Sequence, residues 1–394
     1  MKGVFTNLII ILFVIIGTVG CKPVDIQSDD FITVDVTKSY SPKKELILQD
    51  FMEVEYIALE TKEGFLNQGF VMDIGKEIIL VRNYNQDGEI FIYDRTGKAL
   101  RKINHKGQGG DEYINLSAGI ILDEDNNEMF INDIFARKIL VYDLYGNFKR
   151  SFKHKEGSGS IFYTEMFNYD KENLICYDRF NEKISFILIS KQDGSITQEI
   201  KIPFKEKKLL QQNKRDEANN IIARVTTGPY RPITPFKNNW ILLEISSDTV
   251  YTLLPDYSLY PLIVRTPSIQ SMNPEEFLIL RLLSDRYIFM ETIKNVYDWN
   301  IGSGFPKTYM MYDNKERAMF NYTVYNGDFS TQKEIYMSLT RPVNHEIESW
   351  YPLEAHQLVE SYEKGELKDG KLKEIAATLD EESNPVIMLI KHKK

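Results

Sequence analysis

Two stretches of the sequence align without a gap at a spacing of 49 residues, and this repeat limits the possible folds more than any other feature. The first is IYDRTGKALRKINHK from Ile92, and the second is VYDLYGNFKRSFKHK from Val141. A third copy, with Gly194 at its turn, follows 48 residues after the second. Each copy has an apolar run, a turn containing glycine and another apolar run. This pattern is typical of a β-hairpin, because glycine readily takes the positive φ that tight turns need.

A further strand precedes each hairpin, with an acidic residue such as Asp133 or Asp178 six positions before the next apolar run. One unit therefore holds four short strands, which is the composition of a β-propeller blade. The hairpin turns fall near Gly97, Gly146, Gly194, Asp256 and Asn314. Their spacing predicts an all-β, six-bladed β-propeller of four-stranded antiparallel blades.

The two ends of the chain are predicted to share the last blade. VEYIALE (54–60) would supply one strand and NPVIMLIK (384–391) another, which removes exposed sheet edges. Helices are expected at 353–362 and 367–379, just before the closing strand. Two further segments have helical signals: 205–222 is charged and helix-capable, and 273–283 begins with Asn-Pro-Glu-Glu.

The N-terminus is typical of an export signal. Leu8 to Ile16 is an unbroken apolar run of nine residues after Lys2, too short to span a bilayer. The run ends in small residues directly before Cys21, which resembles the lipobox of bacterial lipoproteins. We predict a signal peptide over 1–20, a lipidated Cys21 with its tether over 21–44 and the propeller over 45–394. The expected location is the cell envelope, with a lipid anchor in the outer membrane. The protein would face either the periplasm or the cell surface.

Composition excludes several classes of protein. The net charge of −9 argues against a nucleic-acid partner, because binding a phosphate backbone needs a dominant basic face. Two cysteines cannot build a disulfide scaffold. Cys176 lies in an apolar run, LICYD, and is predicted to be a buried thiol.

The chain resembles the NHL-like six-bladed β-propeller lipoproteins of Gram-negative gut bacteria. The residues that carry this resemblance are VEYIALE, IYDRTGKALRKI, the segment GQGGDEY (107–113) and Asn384-Pro385-Val386. Family members usually read Gly-Gln-Gly-Pro-Gly-Glu-Tyr in the third of these, so Gly110 and Asp111 depart from the pattern. The resemblance implies the fold and the envelope location, but the family has no established common activity.

In such a propeller, the loops between blades and the loops between second and third strands share one face, which we predict to bind a ligand. A ring of acceptor side chains there could bind a cation or sugar hydroxyls. The alternative is that these residues cap turns. Arg137 could present its planar guanidinium to a carboxylate or sugar, or form a salt bridge with Asp133. Asn83 stands at the corresponding turn of the first repeat. The candidate ligand residues are Gln108, Asp111, Glu112, Tyr113, Asp133, Arg137, Asp178, Arg179 and Glu244.

His105 and His154 occupy equivalent positions in adjacent repeats and are weak candidates for a metal site. A lysine follows each of them, which disfavours a cation, and the alternative is inherited repeat sequence on solvated loops. We therefore predict no metal and no other cofactor. The aromatic residues Tyr113, Phe162, Tyr163 and Tyr230 could stack on sugars, or pack between blades.

The sequence lacks the Gly-x-Ser-x-Gly, P-loop and His-Glu-x-x-His motifs. The interpretation is a lipid-anchored binding or scaffold protein of the cell envelope without defined catalysis. Its ligand would be a glycan, a peptide or an envelope protein. The alternative is an envelope lyase or hydrolase that acts on polysaccharide or peptide at the mouth of the channel.

Overall fold

The repeated unit folds into a four-stranded antiparallel sheet, and three such sheets follow one another along the first half of the chain. The computed structural model describes residues 31–154, 163–216, 221–228 and 230–393. In each sheet the strands lie side by side in sequence order, with the first strand on the central channel. Blade 1 comprises Phe70–Ile74, Ile78–Arg82, Ile90–Asp94 and Ala99–Ile103; blade 2 comprises Ile120–Asp123, Glu128–Asp133, Lys138–Asp143 and Phe148–Lys153; blade 3 comprises Tyr163–Asn168, Asn173–Asp178, Phe186–Ser190 and Ile196–Ile200.

Blades 4 and 5 keep this order, and each gains a fifth strand from the N-terminal segment. Ile32–Asp35 pairs in parallel with the last strand of blade 4, and Lys43–Ile47 does the same in blade 5. The strands of the ring therefore begin upstream of the predicted boundary at residue 45. Blade 4 comprises Ile233–Phe236, Asn239–Leu242, Thr249–Leu253 and Leu259–Thr266; blade 5 comprises Glu276–Leu283, Tyr287–Lys294, Lys307–Asp313 and Ala318–Tyr325.

The two ends of the chain meet in blade 6, as the sequence predicts. Its innermost strand, Ile347–Leu353, pairs with Val386–Lys391, and that strand pairs in turn with Glu53–Ala58. This closing sheet has three strands in the described part of the chain. The predicted all-β, six-bladed propeller is thus confirmed. Closure protects the sheet edges that the first and last blades would otherwise expose.

Helices occupy little of the chain. The two predicted before the closing strand are confirmed as Ala355–Glu363 and Lys371–Ala376, and a single turn, Leu48–Phe51, precedes the N-terminal strand of blade 6. Leu358 and Leu372 from the two longer helices pack into the apolar cluster beneath blades 5 and 6. Short 3₁₀ turns lie at Glu124–Asn126, Ile269–Ser271 and Met337–Leu339.

The other two helical predictions are wrong. Within 205–222 the chain forms a β-hairpin, Gln211–Asp216 with Ile221–Thr226, because its β-branched return strand pairs well and Val225 packs on the core between blades 4 and 5. Within 273–283 the chain forms the innermost strand of blade 5. Seven of the eight residues of that strand are buried, so it has no polar face to give to a helix. A two-stranded excursion, Tyr297–Asp298 with Ser303–Gly304, extends blade 5.

The apolar core lies between the blades rather than in one centre. The described residues form six clusters, and each cluster joins neighbouring blades. Cys176 is fully buried in the cluster between blades 2 and 3, as predicted for a structural thiol. Because each blade packs only on its neighbours, the ring depends on every interface, including the one that the chain ends close.

Asn384 fixes the closing strand, and its replacement should destabilise the ring. Its Oδ1 accepts the Asn67 N–H at 2.9 Å, and its Nδ2 donates to the Glu60 and Phe65 carbonyls at 2.9 and 3.0 Å. Asn384→Ala leaves these buried groups without partners, so we expect a loss of about 2–3 kcal/mol in the free energy of unfolding, measured by urea denaturation. Asn147→Ala, at an exposed hairpin turn, is the control. Equal losses in the two variants would contradict a special role for Asn384.

Candidate functional site

A cavity of about 1070 Å³ occupies the central channel, lined by the innermost strands and the loops that lead into them. This position follows from the fold, because the first strands of the blades surround the axis and their side chains leave space between them. The lining mixes aromatic and charged side chains. A cavity of this size and composition can enclose a small ligand or the end of a larger one.

Arg231 lies directly before the innermost strand of blade 4 and is 5% exposed. Its Nη1 donates to the Arg281 carbonyl at 3.4 Å. Its Nη2 is buried and has no hydrogen-bond acceptor among the residues that the structure describes. Burial and the neighbouring Arg281 lower the pKa of Arg231, yet a guanidinium stays charged at neutral pH because its ordinary pKa is so high. Arg231 therefore carries a buried positive charge with an unused donor.

Arg341 enters the same cavity from the loop before blade 6. Its guanidinium lies 4.4 Å from the centre of the Phe70 ring, and that ring also contacts Arg82 at 4.1 Å. Within the described ranges, no hydrogen bond or ion pair engages the Arg341 guanidinium. Stacking on an aromatic ring orients a guanidinium while leaving its N–H groups free to bind.

Glu165 is a carboxyl group of the cavity lining that acts electrostatically on both of these arginines. The first strand of blade 3 has a β-bulge between Tyr163 and Glu165, which turns the Glu165 side chain toward the channel. Burial raises the pKa of Glu165 to about 8, although Arg231 and Arg341 both act to lower it. The raised pKa favours the uncharged form of Glu165 near neutral pH, and the described structure shows no ion pair between Glu165 and either arginine.

The remaining charges near Arg231 do not neutralise it either. Arg281 pairs with Glu291, and the same Glu291 oxygen also lies 3.2 Å from Lys307. Glu348 is fully buried; burial raises its pKa, and the positive charge of Arg231 acts to lower it. Within the described chain, Arg231 and Arg341 have no carboxylate in direct ion-pair contact. An anion bound there would gain charge-assisted hydrogen bonds in a site partly shielded from water.

A satisfied polar network flanks the arginines on the blade 3 side. The Tyr230 hydroxyl lies 2.9 Å from that of Tyr177, and Tyr177 in turn lies 3.4 Å from Glu244. Glu244 pairs with Lys207 at 2.8 Å in a buried ion pair. Burial lowers the pKa of Lys207, and Glu244 opposes this. Glu244 was predicted to face a ligand, but in the structure its charge is already used within the protein.

The other predicted acceptors contact backbone groups in turns. Asp133 accepts the Ile114 N–H with one carboxylate oxygen and those of Phe135 and Ala136 with the other. Asp178 accepts the Phe180 N–H, and Asn83 accepts that of Gln68. Asp133 and Asp178 thus cap the turns that follow them, and Asp133 and Asn83 each also hold the backbone of a neighbouring loop. Of the predicted ligand residues, Arg179 lines the cavity.

The GQGGDEY segment connects blades 1 and 2, as predicted, and part of it maintains its own loop. Glu112 accepts the Gly109 N–H at 2.7 Å, and Tyr113 is fully buried with its hydroxyl donating to the Gly88 carbonyl. Gln108 and Asp111 are exposed. Arg137 is also exposed, with a left-handed backbone φ of 51°, and the expected salt bridge to Asp133 does not occur in the described chain.

The two repeated histidines have separate partners. His105 Nε2 lies 2.9 Å from the Gly146 carbonyl, and its ring stacks on Tyr142. His154 Nε2 lies 2.9 Å from Asn132 Oδ1 inside the blade 2–3 interface. No group of three or more metal-ligating side chains with suitable geometry occurs in the described ranges. Of the aromatic candidates, Tyr163 is buried, Tyr230 lines the cavity and Phe162 lies outside the described residues.

The prediction from sequence missed Arg231, Arg341 and Glu165. A signal for the arginines was present: the dipeptide Arg-Pro occurs at 231–232, directly before the innermost strand of blade 4, and at 341–342, in the loop that leads to the innermost strand of blade 6. Proline holds the preceding residue in an extended conformation, which suits a residue leading into a strand. Glu165 gives no such signal, because its orientation depends on a bulge.

Comparisons with known proteins agree with this fold. The family model described as "Domain of unknown function (DUF4934)" matches residues 31–391, so the chain belongs to that family. A protein of Bacteroides fragilis described as exported is similar in structure, with TM-score 0.56 and 17% identity over 93% of this chain and 100% of the other. A DUF4221 member from Bacteroides vulgatus matches with TM-score 0.47 and 12% identity over 87% and 99% of the two chains. No curated protein matches.

A virginiamycin B lyase from Staphylococcus aureus also matches, with TM-score 0.31 and 11% identity over 65% of this chain and 88% of the other. The likeness to the Bacteroides fragilis protein concerns the fold alone. Among the described residues, no helix has the length and apolar character that crossing a bilayer requires.

His154 should make stability depend on pH. Burial lowers its pKa to about 4, whereas an unfolded histidine titrates near 6.5. The unfolded chain therefore binds the proton more readily, and stability falls as the pH drops from about 6.5 to 4, by up to roughly 3 kcal/mol. His154→Gln should flatten this part of a pH–denaturation profile relative to the native protein, while the exposed His356→Gln should not. A pH–denaturation profile of His154→Gln as steep as that of the native protein would contradict the attribution of this pH dependence to His154.

Proposed function

We propose that this propeller is an exported, lipid-anchored binding protein whose channel receives an anionic group of its ligand. The observation that carries the proposal is the pair Arg231 and Arg341, which line one cavity and whose guanidinium groups keep donors without an acceptor among the described residues. The protein as a whole has a net charge of −9, so this positive site is a local feature. A local reversal of charge in a concave site favours ligand recognition over general attraction to polyanions.

The ligand class that suits the cavity is a carboxylate-bearing oligosaccharide. Arginine pairs carboxylates through two parallel N–H donors, and the half-buried Tyr230 adds an aromatic side chain to the cavity lining, whereas the buried Phe70 packs against Arg341. An acidic peptide is the other ligand that these donors would accept. The exposed Gln108, Asp111 and Arg137 would then contact the outer part of either ligand.

Catalysis by a lyase or hydrolase is the second candidate function, and one observation favours it. Glu165, with a pKa of about 8, could exchange protons with a bound substrate at neutral pH. Binding remains the preferred proposal, because the two arginines explain recognition without a second acid–base partner. Chain cleavage of a uronate oligosaccharide by the native protein, lost in Glu165→Gln, would favour the enzyme.

The proposed location rests on the N-terminal signal and on the exported relative in Bacteroides fragilis. Residues 1–30, and with them Cys21, lie outside the described part of the chain. The likeness to NHL-like lipoproteins of gut bacteria belongs to the same proposal.

Removing Cys21 should release the protein from the membrane. Cys21→Ser removes the thiol that would receive the lipid, so we expect the variant in the soluble fraction and without a metabolic acyl label. Cys176→Ala is the control, since that thiol is buried in the ring. Membrane association and labelling that survive Cys21→Ser would exclude lipidation at this residue.

Arg341→Gln should abolish most of the affinity for an acidic ligand. The test compares an oligogalacturonate, its carboxyl-reduced neutral counterpart and an oligoglutamate by titration calorimetry. We expect the oligogalacturonate to bind and its neutral counterpart not to bind. Loss of a charge-assisted contact should weaken binding by roughly 10- to 100-fold.

Arg101→Gln is the matched control for this experiment, because Arg101 also stacks on an aromatic ring, Tyr145, but on the outermost strand of blade 1. Its affinity should equal that of the native protein. Equal binding of the acidic and neutral sugars, or unchanged affinity in Arg341→Gln, would overturn the anionic site. Binding of the oligoglutamate alone would identify a peptide ligand.

A further inference from the structure

Glu165 shares the cavity with the two arginines but contributes no negative charge to them at neutral pH. Within the described chain, its carboxyl group has no hydrogen-bond partner and forms no ion pair. The β-bulge between Tyr163 and Glu165 shifts the strand register by one residue. This shift changes which face of the sheet the Glu165 side chain lies on. The geometry thus leaves a carboxyl group and two guanidinium groups in one cavity without direct pairing.

We propose that Glu165 is a proton-linked gate for the anion site, a role that rests on the proposed function. In its acid form Glu165 donates a hydrogen bond to the bound carboxylate, which both arginines also contact. In its ionised form Glu165 occupies the guanidinium donors itself and repels the anion. Ligand binding at alkaline pH therefore takes up one proton from solvent, and this proton ends on the Glu165 carboxyl group.

The charges around Glu165 support this assignment. Arg231 and Tyr230 face it from blade 4, and Arg341 faces it from the loop before blade 6. Within blade 3, Tyr177 and Arg179 flank it. Burial raises the pKa of Glu165 to about 8 and that of Tyr230 further, beyond the range in which a ligand would meet it ionised. Glu165 is therefore the channel-facing group near the arginines whose charge changes just above neutral pH.

Two other carboxyl groups titrate in a similar range and must be separated from Glu165. Burial raises the pKa of Glu348 to about 8, but Glu348 is fully buried and its Oε1 accepts the Leu283 N–H. Burial raises the pKa of Asp73 to about 7, but Asp73 accepts the Leu122 and Ile74 N–H groups between blades 1 and 2. Glu348 does not line the cavity, and Asp73 lines it with both carboxyl oxygens accepting backbone N–H groups, whereas Glu165 lines it without such partners.

The experiment is calorimetric titration of the native protein with oligogalacturonate from pH 6 to 9. The carboxyl groups of this probe stay ionised throughout, so they do not add a proton of their own. We expect constant affinity below pH 7 and a loss of roughly tenfold between pH 7 and pH 9. Near pH 8, titrations in buffers of different ionisation enthalpy should show uptake of about half a proton per ligand bound.

Glu165→Gln should bind with the affinity of the low-pH state at every pH and take up no proton, because its amide still donates but cannot ionise. Glu348→Gln should keep the pH dependence. PH-independent binding by the native protein, or a pH dependence that persists in Glu165→Gln, would overturn the gate while leaving the anion site intact. Absence of oligogalacturonate binding at all pH values would overturn both proposals for this ligand class.

Discussion

The pairing of Glu53–Ala58 with Val386–Lys391 is the interaction on which the rest of the structure depends. Each blade buries its two faces only against its neighbours, so one open interface would expose apolar surface on both sides of the break. The N-terminal segment reinforces this closure. Before it enters blade 6, it adds parallel strands to the rims of blades 4 and 5. Three consecutive blades are thereby joined by a single segment of chain.

Closure also determines where chemistry can occur. The innermost strands converge on an axis that they cannot fill, so their side chains line a cavity instead of a core. Arg231, Arg341 and Glu165 come from three different blades or the loops before them, and only the closed ring brings them together. A rigid ring can hold like charges close because the packing between blades opposes their separation.

The part of the fold that repeats locally could be predicted from sequence, and the part that depends on distant contacts could not. Hairpin turns such as Asp94–Gly97 carry their own signal, since the turn needs glycine at positive φ. The segment at 273–283 misled because Asn-Pro-Glu-Glu resembles a helix start, whereas burial on both faces favours a strand. Arg179, a candidate from the sequence, lines the cavity, but Arg231, Arg341 and Glu165 meet only through closure of the ring.

The contrast between two basic residues in the channel wall argues that the anion site is functional. Lys207 lies 2.8 Å from Glu244, and this buried pair satisfies both charges within the protein. Arg231 is buried to a similar degree, yet its Nη2 has no acceptor in the described structure, and neither Glu165 nor Glu348 forms an ion pair with it there. A buried charge without a partner costs stability, because its desolvation is not offset. The fold can pair a buried cation internally, as it does for Lys207 and Glu244, and it gains no stability from leaving Arg231 Nη2 unpaired. The unpaired donor is therefore best explained by a ligand that comes from outside the chain.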